Sequence, residues 1–312
     1  MPSSPRSFII GTRGSPLALA QAHMVAGLLA TASGRDAGVF PLDIIRTSGD
    51  ATQDRALADI GGKGLFTKEI DAAQLAGTVD VAVHSAKDLP TELPEGLEVA
   101  GYLPREDVRD AFIGRNGQKL NDLPHGARVG TVSLRRQALL RRMRPDLDIT
   151  IFRGNVGTRL EKVARGDVEG TLLALAGLKR LSLAQHATEL LDAASFPPAV
   201  GQAAIAVVTR VGDAATRALV DRITDADTGI AVSAERGFLM ALDGSCRMPI
   251  AAHATVAGGA VTLKGMVLSA DGATVFETTG TGPAGQAAAL GRRLGEELRV
   301  RMPAAFLASL KA

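Results

Sequence analysis

The chain has 312 residues, 46% hydrophobic and 22% charged, with a formal net charge of +2, and no apolar run in it approaches the length of a membrane span. That length exceeds one simple core, so two or three domains of an ordinary soluble globular protein are expected. Tryptophan is absent and aromatics make up 3%, which disfavours a base-stacking nucleic-acid surface, and with so small a net charge any basic site must come from local clustering.

In chain order, Phe8-Ile9-Ile10, then Gly11-Thr12-Arg13-Gly14-Ser15-Pro16, then an apolar-periodic run to Ala30 predict strand, glycine turn and helix. The opening apolar stretch ends at once in Gly11, too short for an export signal, so a cytoplasmic location is expected. Ser15 suits the N-cap and Pro16 the first helical turn. Free amides at such a helix start attract anions, and Arg13 adds a full charge. A well-capped helix with a surface arginine uses the same residues, and the motif alone leaves both readings open. Leu42 to Arg46 predicts a second strand, and Gly61-Gly62-Lys63-Gly64-Leu65-Phe66 leads into a helix through Ala76. A nucleotide-binding reading of that loop fails, because the Walker pattern needs glycine where Leu57 stands and Ser or Thr where Gly64 stands. It remains a basic loop at a helix entrance, either a flap over a site or a connection. Val79 to Ser85 predicts a buried strand that ends in Lys87-Asp88 and is closed by Pro90. In an open α/β sheet, residues just past a strand's carboxyl end sit in the ligand crevice, so chemistry would be placed at Lys87 and Asp88. A solvated strand end with a local ion pair is the alternative.

Gly101 to Asp110 breaks into turn-forming and charged residues, a predicted hinge. A second alternating unit follows: strand Arg128 to Thr131, a helix opened by Ser133, strand Asp148 to Arg153, a turn at Gly154 to Thr158 into another helix, and strand Gly170 to Leu175. Three successive strand-to-helix junctions carry arginine: Arg135 and Arg136, then Arg153 and Arg159, then Arg180. Junctions converge on one edge of a sheet, where guanidinium groups bind carboxylates or phosphates through paired hydrogen bonds. A polyanionic ligand is implied, whereas Arg141, Arg142 and Arg144 on the helix body read as solvated charges.

Ser195 to Gln202 predicts a second crossing, after which strand Ala203 to Thr209 rejoins the first sheet. The fold class is therefore α/β: two doubly wound lobes resembling periplasmic binding proteins, with a cleft between them. The lobes are assigned to 1–103 with 203–222 and to 104–202, and a third domain to 223–312. Many non-catalytic binding proteins share the two-lobed plan, so it does not settle function. In the third domain Ser233 is expected to cap a helix through Leu242 that Gly244 terminates. Segments Ile250 to Val256, Val261 to Leu268 and Thr274 to Thr279, separated by Gly258-Gly259 and Asp271-Gly272, predict a three-stranded antiparallel sheet. A helix from about Ala284 to Arg301, with Leu290, Leu294 and Leu298 on one face, completes a small α+β domain. Cys246, the single cysteine, excludes an intramolecular disulfide. It lies in a loop before Pro249, with Arg247 beside it to favour the thiolate, and reads either as buried filler or as a reactive group.

HSAKDLP at 84–90, GTVSLRRQ at 130–137, RGNVGTRL at 153–160, AGLKRL at 176–181, PAVGQ at 198–202 and LDGSCRMPI at 242–250 closely resemble the porphobilinogen deaminase (hydroxymethylbilane synthase) family, in the same order along nearly the whole chain. The resemblance implies a tetrapyrrole-pathway transferase. It joins four porphobilinogen molecules head to tail, releasing ammonia each time, and frees linear hydroxymethylbilane with water. It implies a dipyrromethane cofactor held by a thioether to Cys246, and Asp88 as the catalytic residue. Arg13, Ser15, Lys87, Thr131, Ser133, Arg135, Arg136, Arg153, Arg159 and Arg180 match the family's carboxylate-binding set, Lys63 and Phe66 its mobile loop, and Gln202 its hinge. No metal, nucleic acid or membrane partner is implied, and a monomer is.

Each porphobilinogen carries an acetate and a propionate, which accounts for so many arginines, and a carboxylate near the pyrrole nitrogens can stabilise the cation left when ammonia departs. Some positions depart from the family pattern. His186 and Asp59 stand where other members carry basic residues, Ala203 replaces a common glycine after PAVGQ and is expected to stiffen the hinge, and Ala86 replaces a common methionine. The rival reading is a non-catalytic binding protein for a small polyanion, which predicts no covalent group on Cys246.

Overall fold

The computed structural model describes residues 7–51, 66–243 and 248–310. Along them the chain lays down β1 (Ile10–Thr12), β2 (Leu42–Ile44), β3 (Val81–Ser85) and β4 (Leu97–Tyr102), then β5 (Asp110–Gly114), β6 (Arg128–Gly130), β7 (Asp148–Thr150), β8 (Gly170–Ala174) and β9 (Glu189–Leu190). It continues with β10 (Ile205–Arg210) and ends in β11 (Ile250–Ala257), β12 (Ala260–Leu268) and β13 (Val275–Pro283). Two five-stranded sheets result, β2-β1-β3-β10-β4 and β7-β6-β8-β5-β9, besides the three-stranded β11-β12-β13. In the first, β1 is parallel to β2 and β3, and β10 runs antiparallel to β3 and β4. The second repeats this order, with β6 parallel to β7 and β8, and β5 antiparallel to β8 and β9. The antiparallel strand of each sheet is the first one laid down after the chain leaves the other lobe. The expected pair of doubly wound lobes and the antiparallel third sheet are both present.

Burial explains the winding of the first lobe. Ile10, Val81 and Val83 pack with Val25 and Leu29 of helix Pro16–Ser33. Gly11, the next residue along β1, turns to the opposite face, where a Cβ would lie 2.8 Å from Val79 and 3.4 Å from Ile70 of helix Lys68–Leu75. Alternation along one strand thus sends successive residues to two helical layers. Helix Pro16–Ser33, 18 residues long, is apolar enough to meet the criterion for a membrane span, contrary to the sequence expectation. Its side bearing Ala22, Val25 and Leu29 is nevertheless core, as in any buried-sheet helix.

The described residues form two compact units, 7–51 with 66–105 and 204–229, and 106–203 with 230–310. The second unit joins the second lobe to the C-terminal sheet through one core, in which Phe112, Leu139 and Leu172 pack with Ala251, Met266 and Leu268. Arg141 donates from Nη1 to the Ala270 carbonyl at 2.6 Å. Arg144 also departs from the solvated reading: it pairs with Asp146 at 2.6 Å and donates to the Leu120 and Leu123 carbonyls. The helix expected to start at Ser233 begins at Ala226 and runs to Ala241. Asp225, an equally good cap, accepts from the Thr228 N–H at 2.7 Å and leaves Ser233 in the interior. Gly244, its expected terminator, lies outside the described residues.

At the second crossing, Ala203 is buried with φ +73°, a left-handed backbone that costs a side-chain-bearing residue about 1–2 kcal/mol. Arg180 Nη2 donates to its carbonyl at 2.6 Å. Ala203→Gly is expected to stabilise the fold by about 0.5–1 kcal/mol once the extra freedom of glycine in the unfolded chain is subtracted, read as a higher urea midpoint at unchanged slope. A second expectation concerns His84 in β3, which is 5% exposed. Its pKa is lowered from 6.5 to about 4, by burial first and by the Arg13 charge second. The unfolded chain therefore binds more protons than the fold between those values. The stability that neutral His84 contributes is complete above pH 6.5 and lost as pH falls towards 4, about 3 kcal/mol in all. Urea titrations repeated down this range should show a shallower decline for His84→Gln than for the native chain.

Candidate active site

In the first lobe the predicted helix cap forms, Ser15 Oγ accepting from the Ala18 N–H at 3.3 Å. Arg13, half-buried just before it, places its guanidinium carbon 4.1 Å from the centroid of the Phe66 ring, a cation–π contact that holds the arginine against the entrance of helix Lys68–Leu75. Strand β3 is followed directly by a single 3-10 turn, Ala86–Asp88. The Ala86 N–H donates to the Ala204 carbonyl at 3.0 Å, and Ala86 and Leu89 are buried on either side of the turn. Anchored so, the turn leaves the Asp88 side chain exposed.

A small cavity in this lobe is lined by Arg13, Ser15, Gln21, Phe66, His84, Ser85 and Asp88 together with apolar neighbours. Four predicted site residues, Arg13, Ser15, Phe66 and Asp88, thus meet at one place. Asp88 is the one acid among the lining residues. Lys87, half-buried in the same turn, is not part of the lining. Gln21 and Ser85 were missed by sequence reasoning. Gln21 is 2% exposed and donates to Ser85 Oγ at 2.9 Å. The only sign of it was a lone amide in an Ala- and Leu-rich helix. Lys63 and Cys246, expected in the flap and as the cofactor's anchor, lie outside the described residues.

The second lobe gathers the arginines. Ser133 accepts from the Arg136 N–H at 3.4 Å and donates its own N–H to Thr131 Oγ1 at 3.2 Å, so these two predicted residues shape the start of helix Leu134–Met143. Arg135 and Arg136 point inward: they are 4% and 7% exposed and both pair with fully buried Asp110, at 2.6 and 2.7 Å. Burial alone would raise the Asp110 pKa, but the two guanidinium charges and their hydrogen bonds hold it well below the usual carboxylate range. Gln202, also fully buried, donates to Asp110 at 2.9 Å.

Arg159, in the first turn of the helix capped by Asn155, donates from Nε to the Gly154 carbonyl at 2.8 Å. Its pKa is lowered to about 10 by burial and then by the charge of Arg136. Arg180 is lowered by burial, with Glu106 opposing. Arg153 keeps Nε and Nη2 buried without a hydrogen-bond partner, as Arg135 and Arg136 each keep Nε. Buried donors without acceptors are costly, and a guanidinium offers them in the geometry a carboxylate accepts. This donor set fits a ligand or cofactor bearing several carboxylates. Asp110 was missed in the sequence because it reads as the start of an apolar strand.

Comparison with known proteins agrees with this chemistry. The family model described as porphobilinogen deaminase, dipyromethane cofactor binding domain, matches residues 8–218, and that described as porphobilinogen deaminase, C-terminal domain, matches residues 230–300. A porphobilinogen deaminase of Nitrobacter winogradskyi is 55% identical over 94% of this chain and 92% of its own length. One from Nitrobacter hamburgensis is 54% identical over the same shares. Among solved structures, the periplasmic aliphatic sulphonate binding protein SsuA from Escherichia coli overlaps with a TM-score of 0.42 at 13% identity, covering 77% of this chain and 71% of that one, too loosely to carry an argument. With both family models matched in order and more than half of the residues shared with these relatives, the chain belongs to the porphobilinogen deaminase family.

Proposed function

We propose that the chain acts as a hydroxymethylbilane synthase, a transferase that joins four porphobilinogen molecules head to tail with loss of ammonia at each addition and then releases the linear product with water. The observation that carries this reading is the separation of duties between side chains. One exposed carboxylate, Asp88, sits in a cavity with Arg13 and Ser15, while buried arginines elsewhere keep unpartnered donors. A dipyrromethane cofactor, attached by a thioether to Cys246, supplies the nucleophilic pyrrole carbon and keeps the product tethered between additions.

Everything else falls to this chain's side chains. Arg13, with Ser15 at the helix start, is suited to the acetate or propionate of a pyrrole, as are Lys87, Thr131, Ser133, Arg135, Arg136, Arg153, Arg159 and Arg180. Loss of ammonia leaves positive charge spread over the substrate's ring, which the Asp88 carboxylate stabilises. The same carboxylate takes part in moving protons to the departing amine and from the attacked carbon. Phe66 with Lys63 serves as a flap, and Gln202 belongs to the hinge. Catalysis is assigned to a monomer in the cytoplasm that works without nucleic acid or membrane; this part rests on the family resemblance and on composition.

Because Asp88 is exposed, Asp88→Asn should change stability by no more than about 0.5 kcal/mol. It should lower porphobilinogen consumption by about a hundredfold or more, measured on protein whose intact mass includes the cofactor. Retained turnover would remove Asp88 from the mechanism. Intact mass also tests the anchor. The native chain should exceed its sequence mass by two deaminated porphobilinogen units and colour with acidic dimethylaminobenzaldehyde, and Cys246→Ser should do neither. A native mass that stays unmodified after incubation with porphobilinogen would leave the polyanion-binding protein as the better reading.

A further inference from the structure

The buried arginine pair of the second lobe has an unusual division of donors. Asp110 Oδ2 accepts from Arg135 Nη2 at 2.6 Å, and Oδ1 accepts from Arg136 Nη2 at 2.7 Å. The other terminal nitrogens go to backbone, Arg135 Nη1 to the Pro197 carbonyl at 2.6 Å and Arg136 Nη1 to the Leu172 carbonyl at 2.9 Å. Every terminal nitrogen of both groups has an acceptor, and neither Nε has one. Two positive charges meet one negative charge, so one positive charge remains inside the lobe. Gln202 Nε2 completes the arrangement, donating to Asp110 Oδ1 at 2.9 Å and to the Val108 carbonyl at 2.8 Å. Asp110 opens the strand that follows the first crossing, and Gln202 ends the second. Both crossings are thereby fastened to the same two guanidinium groups.

We infer that Asp110 is a positioning residue for carboxylate binding: it fixes Arg135 and Arg136 by their terminal nitrogens and leaves their Nε–H groups, with one unit of positive charge, for a single pyrrole carboxylate. The inference rests on the reading of these arginines as carboxylate ligands. An arginine held through both terminal nitrogens presents its Nε–H in one direction, so little freedom is lost when the anion arrives. Asp110 is fully buried and would act through the two arginines it fixes.

The test combines arginine Nε–H exchange, followed by NMR and assigned with Arg135→Lys and Arg136→Lys, with steady-state kinetics on cofactor-bearing full-length protein. In the native chain the two Nε–H protons should exchange at least about tenfold more slowly than that of exposed Arg142. Asp110→Asn should erase that difference and raise KM for porphobilinogen about tenfold while kcat changes less than about threefold, a split that simple loss of structure does not produce. Gln202→Met keeps both ion pairs and should fold even where Asp110→Asn does not; it should raise KM about threefold and speed exchange. Native Nε–H exchange as fast as that of Arg142 overturns the inference, as does an unchanged KM in either variant. If Arg135→Lys and Arg136→Lys leave KM unaltered, the carboxylate-ligand reading itself falls. If they raise it and the Asp110 and Gln202 variants do not, only the positioning role falls.

Discussion

Guanidinium groups cannot be taken out of water unless their donors and charge are accounted for, and the second lobe is built around that constraint. Asp110 serves Arg135 and Arg136 at once, and the Pro197 and Leu172 carbonyls take the donors it does not reach. Removing one partner of such a buried set strands the other, which costs several kcal/mol, more than most single contacts in a domain of this size contribute. The set nevertheless stops short of neutrality. Arg159, depressed by burial and then by the charge of Arg136, and Arg153, with two unpartnered nitrogens, add to the same excess.

The topology explains how the surplus is delivered. In a parallel sheet every strand ends at the same edge, so the segments after β6, β7 and β8 bring Ser133, Arg153 and Arg180 to one rim without any of them being close in sequence. The first lobe has the same strand order, and there the segments after β1 and β3 carry Arg13, Ser15 and Asp88. One winding rule used twice gives one lobe a carboxylate beside Arg13 and the other a cluster of buried arginines. The difference lies entirely in a few junction residues, which is why the fold by itself says nothing about catalysis.

What could be read in the sequence follows from how local its causes are. The caps at Ser15 and Ser133 were legible because an N-cap is satisfied by an amide three residues away. The Gly258-Gly259 turn was legible because both residues adopt φ values of +57° and +75° that glycine accepts freely. Ser233 misled because Asp225 competes for the same task eight residues earlier, and nothing local ranks the two. The inward direction of Arg135 and Arg136 was illegible for a different reason. Their partner lies on a strand 25 and 26 residues away, and an aspartate before Ala-Phe-Ile-Gly looks like any strand entrance. Gln21 with Ser85, 64 residues apart, is the same case in the first lobe.

A reaction that adds two carboxylates with each substrate makes a demand that a binding protein does not face. A polyanion receptor gains most when its positive charges are matched once, tightly, by a ligand of fixed charge. A chain that lengthens needs further cationic groups at each stage, none holding so firmly that the next addition is blocked. Arginines that already bond to backbone carbonyls, as Arg135, Arg136, Arg159 and Arg180 do, have fewer donors left to give and bind a carboxylate less completely than free ones. Their partial commitment is thus the property expected of sites that must release and re-engage a growing anion. It sits on the same side of the question as the exposed carboxylate of Asp88, which a receptor for anions would have reason to exclude, since like charge beside the ligand weakens binding.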